Sequence, residues 1–178
     1  MAQRDVKKLT VRTVAEANGH LTRLRSSAER TRAALRDLLQ AEPDALRVLS
    51  KLKFEPVGCD PLTPDRPLNV IEQLNQTFTY QASFQAAAWL LEQHPDQGPL
   101  VLNLGTSRGH DIESVRGDLV VEVFSAVTPG NNRKLDADID RLRESSARFR
   151  YVFYLSPTSG GRPDAFEVDG IRVHRLQP

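Results

Sequence analysis

Glu122 lies between Val121 and Val123 in the apolar run DLVVEVFSAV (118–127). An ionised carboxylate there is expensive unless it is paired, hydrogen-bonded or bound to a metal. Strand periodicity puts Glu122 on the face of Val120 and Phe124, and Val121 and Val123 on the other. Asp111 opens the preceding short run, HDIES (110–114), after a turn bracketed by Gly105 and Gly109. If the two runs pair as a hairpin, Asp111 and Glu122 approach each other at one sheet end. Two carboxylates and a nearby backbone carbonyl make an oxygen-rich pocket suited to Mg2+ (or Mn2+), a hard ion that keeps several waters.

Other candidates surround this pair. Glu72, Asn75, Gln76 and Thr79 are spaced i, i+3, i+4, i+7 and form a polar stripe on an otherwise apolar helix, which facing a site would explain. His110 adjoins Asp111, although a lone histidine at a turn reads first as structural or solvated. His20, His94 and His174 have no clustered partners in the sequence, which argues against a histidine zinc site. Asp136, Asp138 and Asp140 form an acidic run that reads as a solvated helix face paired with Arg141 and Arg143. Ser107 in GTSRG matches neither a nucleophile elbow nor a phosphate-binding loop.

The elements that must position these residues alternate legibly from Leu68 onward. A long helix covers LNVIEQLNQTFTYQASFQAAAWLLEQH, capped by Asn69 or the preceding proline-rich turn, with no breaker before Pro95. Short strands follow at 99–105, 110–114 and 118–127, the last β-branched enough for a buried central strand. NNRKLDADIDRLRESSARF is an amphipathic helix with an Asn cap, RYVFYLSP (150–157) is another apolar strand, and AFEVDGIRVHRL is a hairpin turning at Asp169-Gly170. A three-strand meander, a crossover helix and one more strand predict a mixed sheet with helices on its faces.

Ahead of this core, Val14, Ala17, Leu21, Leu24, Ala28, Thr31, Leu35 and Leu38 keep a heptad spacing. The helix they define packs on its own domain, pairs with a second copy in a homodimer, or lies as a basic arm along nucleic acid. A short helix, ALRVLSKLKF, follows Pro43, read as its first-turn proline. The expected organisation is a basic helical segment at 1–54, a proline-rich linker at 55–67 and an α/β core at 68–178.

The chain has 178 residues and a net charge of +1, which hides +6 in residues 1–54 and −5 in the remainder. The balance alone therefore does not exclude a nucleic-acid partner, and Arg23 and Arg30 on the basic helix, with Gln76 on the polar stripe, are candidate contacts. Mean hydropathy is −0.42, and no apolar run approaches the length of a bilayer helix. The polar start MAQRDVKKLT is unlike a signal peptide, which leads to the expectation of a cytoplasmic protein without membrane association. A single Cys59 excludes an intramolecular disulfide and a cysteine-cage zinc site. After Lys53 the sequence holds one lysine, Lys134.

The element order and the fragment GHDIESVRGDLVVEVF resemble the restriction-endonuclease-like (PD-(D/E)XK) nuclease superfamily over roughly residues 68–157. The resemblance implies an α-β-β-β-α-β core with Asp111 as its first acid, Glu122 as its second and Glu72 as the helix acid. It implies metal-dependent hydrolysis of phosphodiester bonds, with DNA preferred to RNA. Phe124 stands where the family has the lysine that positions the attacking water and stabilises charge on the phosphate, work an aromatic ring cannot do. Some members recruit that amine from the following helix, where Lys134 is the candidate; Arg133 stays protonated and is a poorer substitute. The alternative is a nuclease-like domain that has lost catalysis and serves as a dimeric binding or assembly module.

Overall fold

In the computed structural model, residues 8–105, 108–130 and 133–178 are described, and they fold as a mixed α/β protein. They form two compact units, one from the described residues of 8–18 and 79–178 and one from 19–78. The chain passes between them inside helices α1 (Val14–Ala41) and α3 (Val70–Gln93), so the prolines of 55–67 fall within the second unit.

The first unit is built on a seven-stranded sheet. In chain order its strands are β1 (Lys8–Val11), β4 (Leu100–Asn103), β5 (Ile112–Ser114), β6 (Leu119–Ser125), β7 (Phe149–Leu155), β8 (Ala165–Val168) and β9 (Ile171–Leu176). The spatial order is β1-β4-β5-β6-β7-β9-β8. The pairs β1–β4, β4–β5, β5–β6 and β8–β9 are antiparallel, whereas β6–β7 and β7–β9 are parallel. The expected meander is therefore present as β4-β5-β6, with α4 (Lys134–Arg143) making the crossover to parallel β7. The β8–β9 hairpin turns at Asp169 and Gly170, both with positive φ (53° and 71°), the conformation a two-residue primed turn requires.

Each sheet face is apolar and covered. Val120, Phe124, Val152, Tyr154, Ile171 and Val173 pack against Leu135, Ile139 and Leu142 of α4. On the opposite face Trp89 of α3 meets Tyr151 and Phe153 edge-on, with centroids at 5.6 and 5.4 Å. Burial on both faces is why β6 and β7 read as continuous apolar runs rather than alternating ones.

β1 overturns one expectation. Residues 8–11 are a strand on the edge of β4, not part of a helical segment. Thr13 then starts α1, its hydroxyl accepting from the Glu16 amide (3.1 Å) while the Glu16 carboxylate accepts from the Arg12 amide (2.7 Å).

In the second unit, α2 (Ala45–Phe54) is capped by Asp44, whose side chain accepts from the Arg47 amide at 2.9 Å. Pro43 thus precedes the cap and is not in the first turn. The segment read as a linker contains β2 (Gly58–Cys59), which pairs with β3 (Pro67–Leu68). Of the heptad residues in this unit, Leu24 and Thr31 are buried, Leu21, Leu35 and Leu38 are half-buried and Ala28 is exposed, while Ser27 is buried beside it. Thr31 donates to Gln73 Oε1 (2.7 Å), and the Cys59 amide donates to the same oxygen (2.9 Å). The seam is thus used within its own unit. Asn69 caps α3 by accepting from the Glu72 amide at 2.8 Å, as the sequence suggested.

Leu142 is fully buried and ties α4 to the sheet. Leu142→Ala is expected to lower the unfolding free energy by about 2–5 kcal/mol in urea titration with an unchanged m-value. A loss within about 0.5 kcal/mol, the range of ordinary surface substitutions, would show that α4 is not held this way.

Candidate functional site

β5 and β6 bring the two acids together. Ile112 faces Val121 in antiparallel register, and the next residues outward are Asp111 and Glu122. Asp111 Oδ2 accepts the amide of Val123 at 2.8 Å, which fixes its carboxylate against β6. Glu122 is 0% exposed at the centre of that strand. Its neighbours Val120 and Phe124 share the α4-facing core, as the alternation required.

Both oxygens of Glu122 have partners. His110 Nδ1 lies 2.5 Å from Oε1, and Arg141 of α4 donates to Oε2 at 3.1 Å. Arg141 also donates to the Gly109 carbonyl, and the His110 amide donates to Glu113 Oε1 (2.9 Å), so the 109–113 turn is tied to the cluster. Lys134 does not bond Glu122. It pairs with Asp138 one turn along α4, and Asp138 is itself buried, with Oδ2 lacking a hydrogen-bond partner. Thus, among the described residues, Asp111, Glu113, Glu122 and Asp138 gather around the cations Lys134 and Arg141.

Electrostatics follow from that crowding. Burial, reinforced by the charge of Asp111 and opposed by Arg141, pushes Glu122 up to about 8. Burial and then Arg141 hold His110 below its ordinary value, against Glu113 and Asp111. Burial also raises Asp138, with Lys134 opposing. Burial thus favours the uncharged form of both members of the close His110–Glu122 pair.

Phe124 is buried and stacked on Tyr154 (5.8 Å, 19°), within the core beneath α4. A lysine at this position would bury its ammonium among Leu135, Ile139 and Leu142, so the side chain that fits here is apolar. Glu72, Arg23, Arg30 and Gln76 belong to the other compact unit. There Glu72 and Arg23 are exposed in their helices, Arg30 lies 3.8 Å from Asp65, and Gln76 Oε1 is buried without a hydrogen-bond partner. Asn131 and Asn132, expected to cap α4, lie outside the described residues; Arg133 occupies the cap position with φ 53° and no side-chain cap.

Arg141, Asp138 and Glu113 are the residues that sequence reasoning did not place. The signal was present: Lys134, Asp138 and Arg141 are spaced i, i+4, i+7, one face of a helix. Attention to the alternating aspartates 136, 138 and 140 obscured it. His110, read first as a structural turn residue, is in direct contact with the central acid.

Among the described residues, no three His, Cys, Asp or Glu side chains converge as ligands of one ion. No helix among the described residues is long and apolar enough to cross a membrane. Comparison of the chain with protein-family models, curated proteins and solved structures found no match in any of the three.

The raised Glu122 has a defined consequence for stability. Its protonated form favours the folded state, so this contribution is intact below the ordinary carboxylate range and is lost as pH rises toward about 8. In EDTA, the melting temperature should fall between pH 5 and pH 8, at roughly 2–4 °C per kcal/mol for a chain of this size. Glu122→Gln should flatten that fall. An equal slope in the variant would place the titrating group elsewhere.

Proposed function

We propose that this protein is a divalent-metal-dependent nuclease with a restriction-endonuclease-like core, its site formed by Asp111 and Glu122. The observation that carries the reading is the fully buried Glu122 in mid-strand, beside Asp111, in a cluster holding more carboxylates than cations. The helix, three-strand meander, helix and parallel strand from α3 to β7 support the fold assignment.

The donor set fits Mg2+ or Mn2+. Hard cations of this kind are held by one or two carboxylates with water completing the shell, so a third protein ligand is not required. Glu122 already draws a guanidinium and an imidazole to its oxygens, and a divalent ion is a stronger claimant for the same charge. Bound there, the ion would polarise the phosphodiester and lower the pKa of a water.

The chain's own residues would do the rest. Asp111, fixed by the Val123 amide, and Glu122 hold the metal and set its position relative to the sheet. Arg141 stays protonated and supplies positive charge for the negative charge that develops on the phosphate oxygens. His110, lying against Glu122, is the imidazole placed to take a proton from the attacking water. It would thereby do part of the work lost with the family lysine. Lys134 acts through Asp138, fixing that carboxylate beside the pair. The basic helix bearing Arg23 and Arg30 would contribute phosphate contacts.

A second reading has its own support. Phe124 in the lysine position and the bonding of Lys134 to Asp138 favour a nuclease-like domain without catalysis, acting as a binding module. Incubation of the protein with labelled single- and double-stranded DNA and RNA, in Mg2+, Mn2+ or EDTA, separates the two. The nuclease reading expects metal-dependent cleavage that is abolished in Glu122→Gln and reduced about 10²–10⁴-fold in His110→Ala. No cleavage of any substrate under any of these metals would select the binding module.

A further inference from the structure

A second cluster lies at the N-terminal end of the parallel strands β7 and β9, wholly within the sheet-containing unit. Phe149, Arg150 and Tyr151 at the start of β7, with Arg148 before it, and Gly170 and Arg172 at the β8–β9 turn line a cleft of about 290 Å³. Its lining carries three guanidiniums and one carboxylate, Glu167, and shares no residue with the Asp111–Glu122 cluster.

The guanidiniums are positioned rather than loosely solvated. Arg172 donates to the Tyr151 hydroxyl at 2.8 Å, and that hydroxyl lies 2.7 Å from His94 Nε2. Because arginine only donates, the phenol oxygen accepts from it, and the same hydroxyl is hydrogen-bonded to His94. Arg150 donates to the Asp169 carbonyl at 3.1 Å, and a Cβ on Gly170 would stand 3.0 Å from the same terminal nitrogen. The turn glycine therefore serves close approach as well as its positive φ. Arg150 Nε is buried without a hydrogen-bond partner, a donor left unused by the protein. Glu167 lies 3.5 Å from Arg172 Nε and is more than half exposed, so the one carboxylate present is free to swing away.

We infer that this cleft binds a phosphate group of a nucleic-acid strand, other than the scissile one. Three guanidiniums lining one cleft can supply donors to a phosphate's several acceptor oxygens, and arginine forks suit that geometry better than point charges do. Both aromatic rings of the cleft are already covered: Arg148 lies 4.9 Å over Phe149, with the His94 ring 4.5 Å from it, and Arg172 lies 5.7 Å over the buried Tyr151. A base has no free ring to stack on, which assigns the cleft to backbone rather than base. The inference rests on the nucleic-acid reading of the carboxylate site, but it requires no catalysis.

The test is fluorescence anisotropy of a labelled 20-nucleotide single strand and the corresponding duplex, in EDTA to prevent cleavage. The double variant Arg148→Ala/Arg150→Ala should bind about 10-fold more weakly and lose roughly 1–2 from the slope of log K against log salt. Glu167→Gln, which removes the competing carboxylate, should tighten binding by about 2–3-fold, a gain that misfolding cannot produce. Unchanged affinity and salt slope in the double variant, with no gain in Glu167→Gln, overturns the assignment. So does binding of inorganic phosphate, seen by phosphorus NMR, by a protein that binds neither oligonucleotide. If the arginine variants lose oligonucleotide binding while wild type cleaves nothing, the cleft stands and the nuclease reading fails. If wild type cleaves and the arginine variants bind normally, the cleft alone fails.

Discussion

Burying the Glu122 carboxylate inside a sheet covered on both faces is the constraint around which the rest of the site is arranged. The side chain has no exposure to water, and Val120 and Phe124 beside it belong to an apolar core. Such a group must either stay protonated or find compensating charge. Burial favours the protonated form, while His110 lies against one oxygen and Arg141 supplies charge to the other. Asp111, pinned by a backbone amide, works against this by adding a second negative charge nearby. A cluster that suppresses ionisation in this way gains most from a bound cation, because binding removes repulsion and desolvation together.

Helix α4 is the means by which that arrangement is held. Its apolar residues Leu135, Ile139 and Leu142 face the core, while Lys134, Asp138 and Arg141 run along an adjoining stripe toward the acids. The same helix covers Phe124, which makes the position two residues after Glu122 apolar. The positive charges of this site therefore come from the crossover helix and not from the strand. This division follows from packing. A side chain reaching in from the helix edge keeps its charged end near solvent, whereas one from mid-strand beneath the helix does not.

Much of this was legible in the sequence where local pattern and tertiary role agree. β6 and β7 are β-branched and aromatic runs, and Asp169-Gly170 marks a hairpin with conformational needs few residue pairs meet. The alternation through Glu122 placed it on the correct face, and a hairpin register sufficed to bring Asp111 opposite it. Other features depend on contacts that sequence does not display. β1 has four residues and is a strand only because the edge of β4 is available to it. The Gly58–Cys59 ladder is two residues long and sits among prolines that read as linker. Arg141 and Asp138 were hidden because two overlapping patterns, an i, i+2 acidic run and an i, i+4, i+7 stripe, compete in ten residues. His110 was undervalued for a related reason, since its partner is twelve residues away and on another strand.

If Asp111 and Glu122 hold a divalent cation, as proposed, binding ionises Glu122 and displaces its proton. Titration of Mn2+ into the full chain at pH 7, by calorimetry in buffers of differing ionisation enthalpy, measures both quantities in one series. The account predicts one ion per chain and release of about one proton as Glu122 ionises, with both signals lost in Asp111→Asn/Glu122→Gln. Absence of Mn2+ binding at millimolar concentration, or binding and proton release undiminished in the double variant, would contradict it.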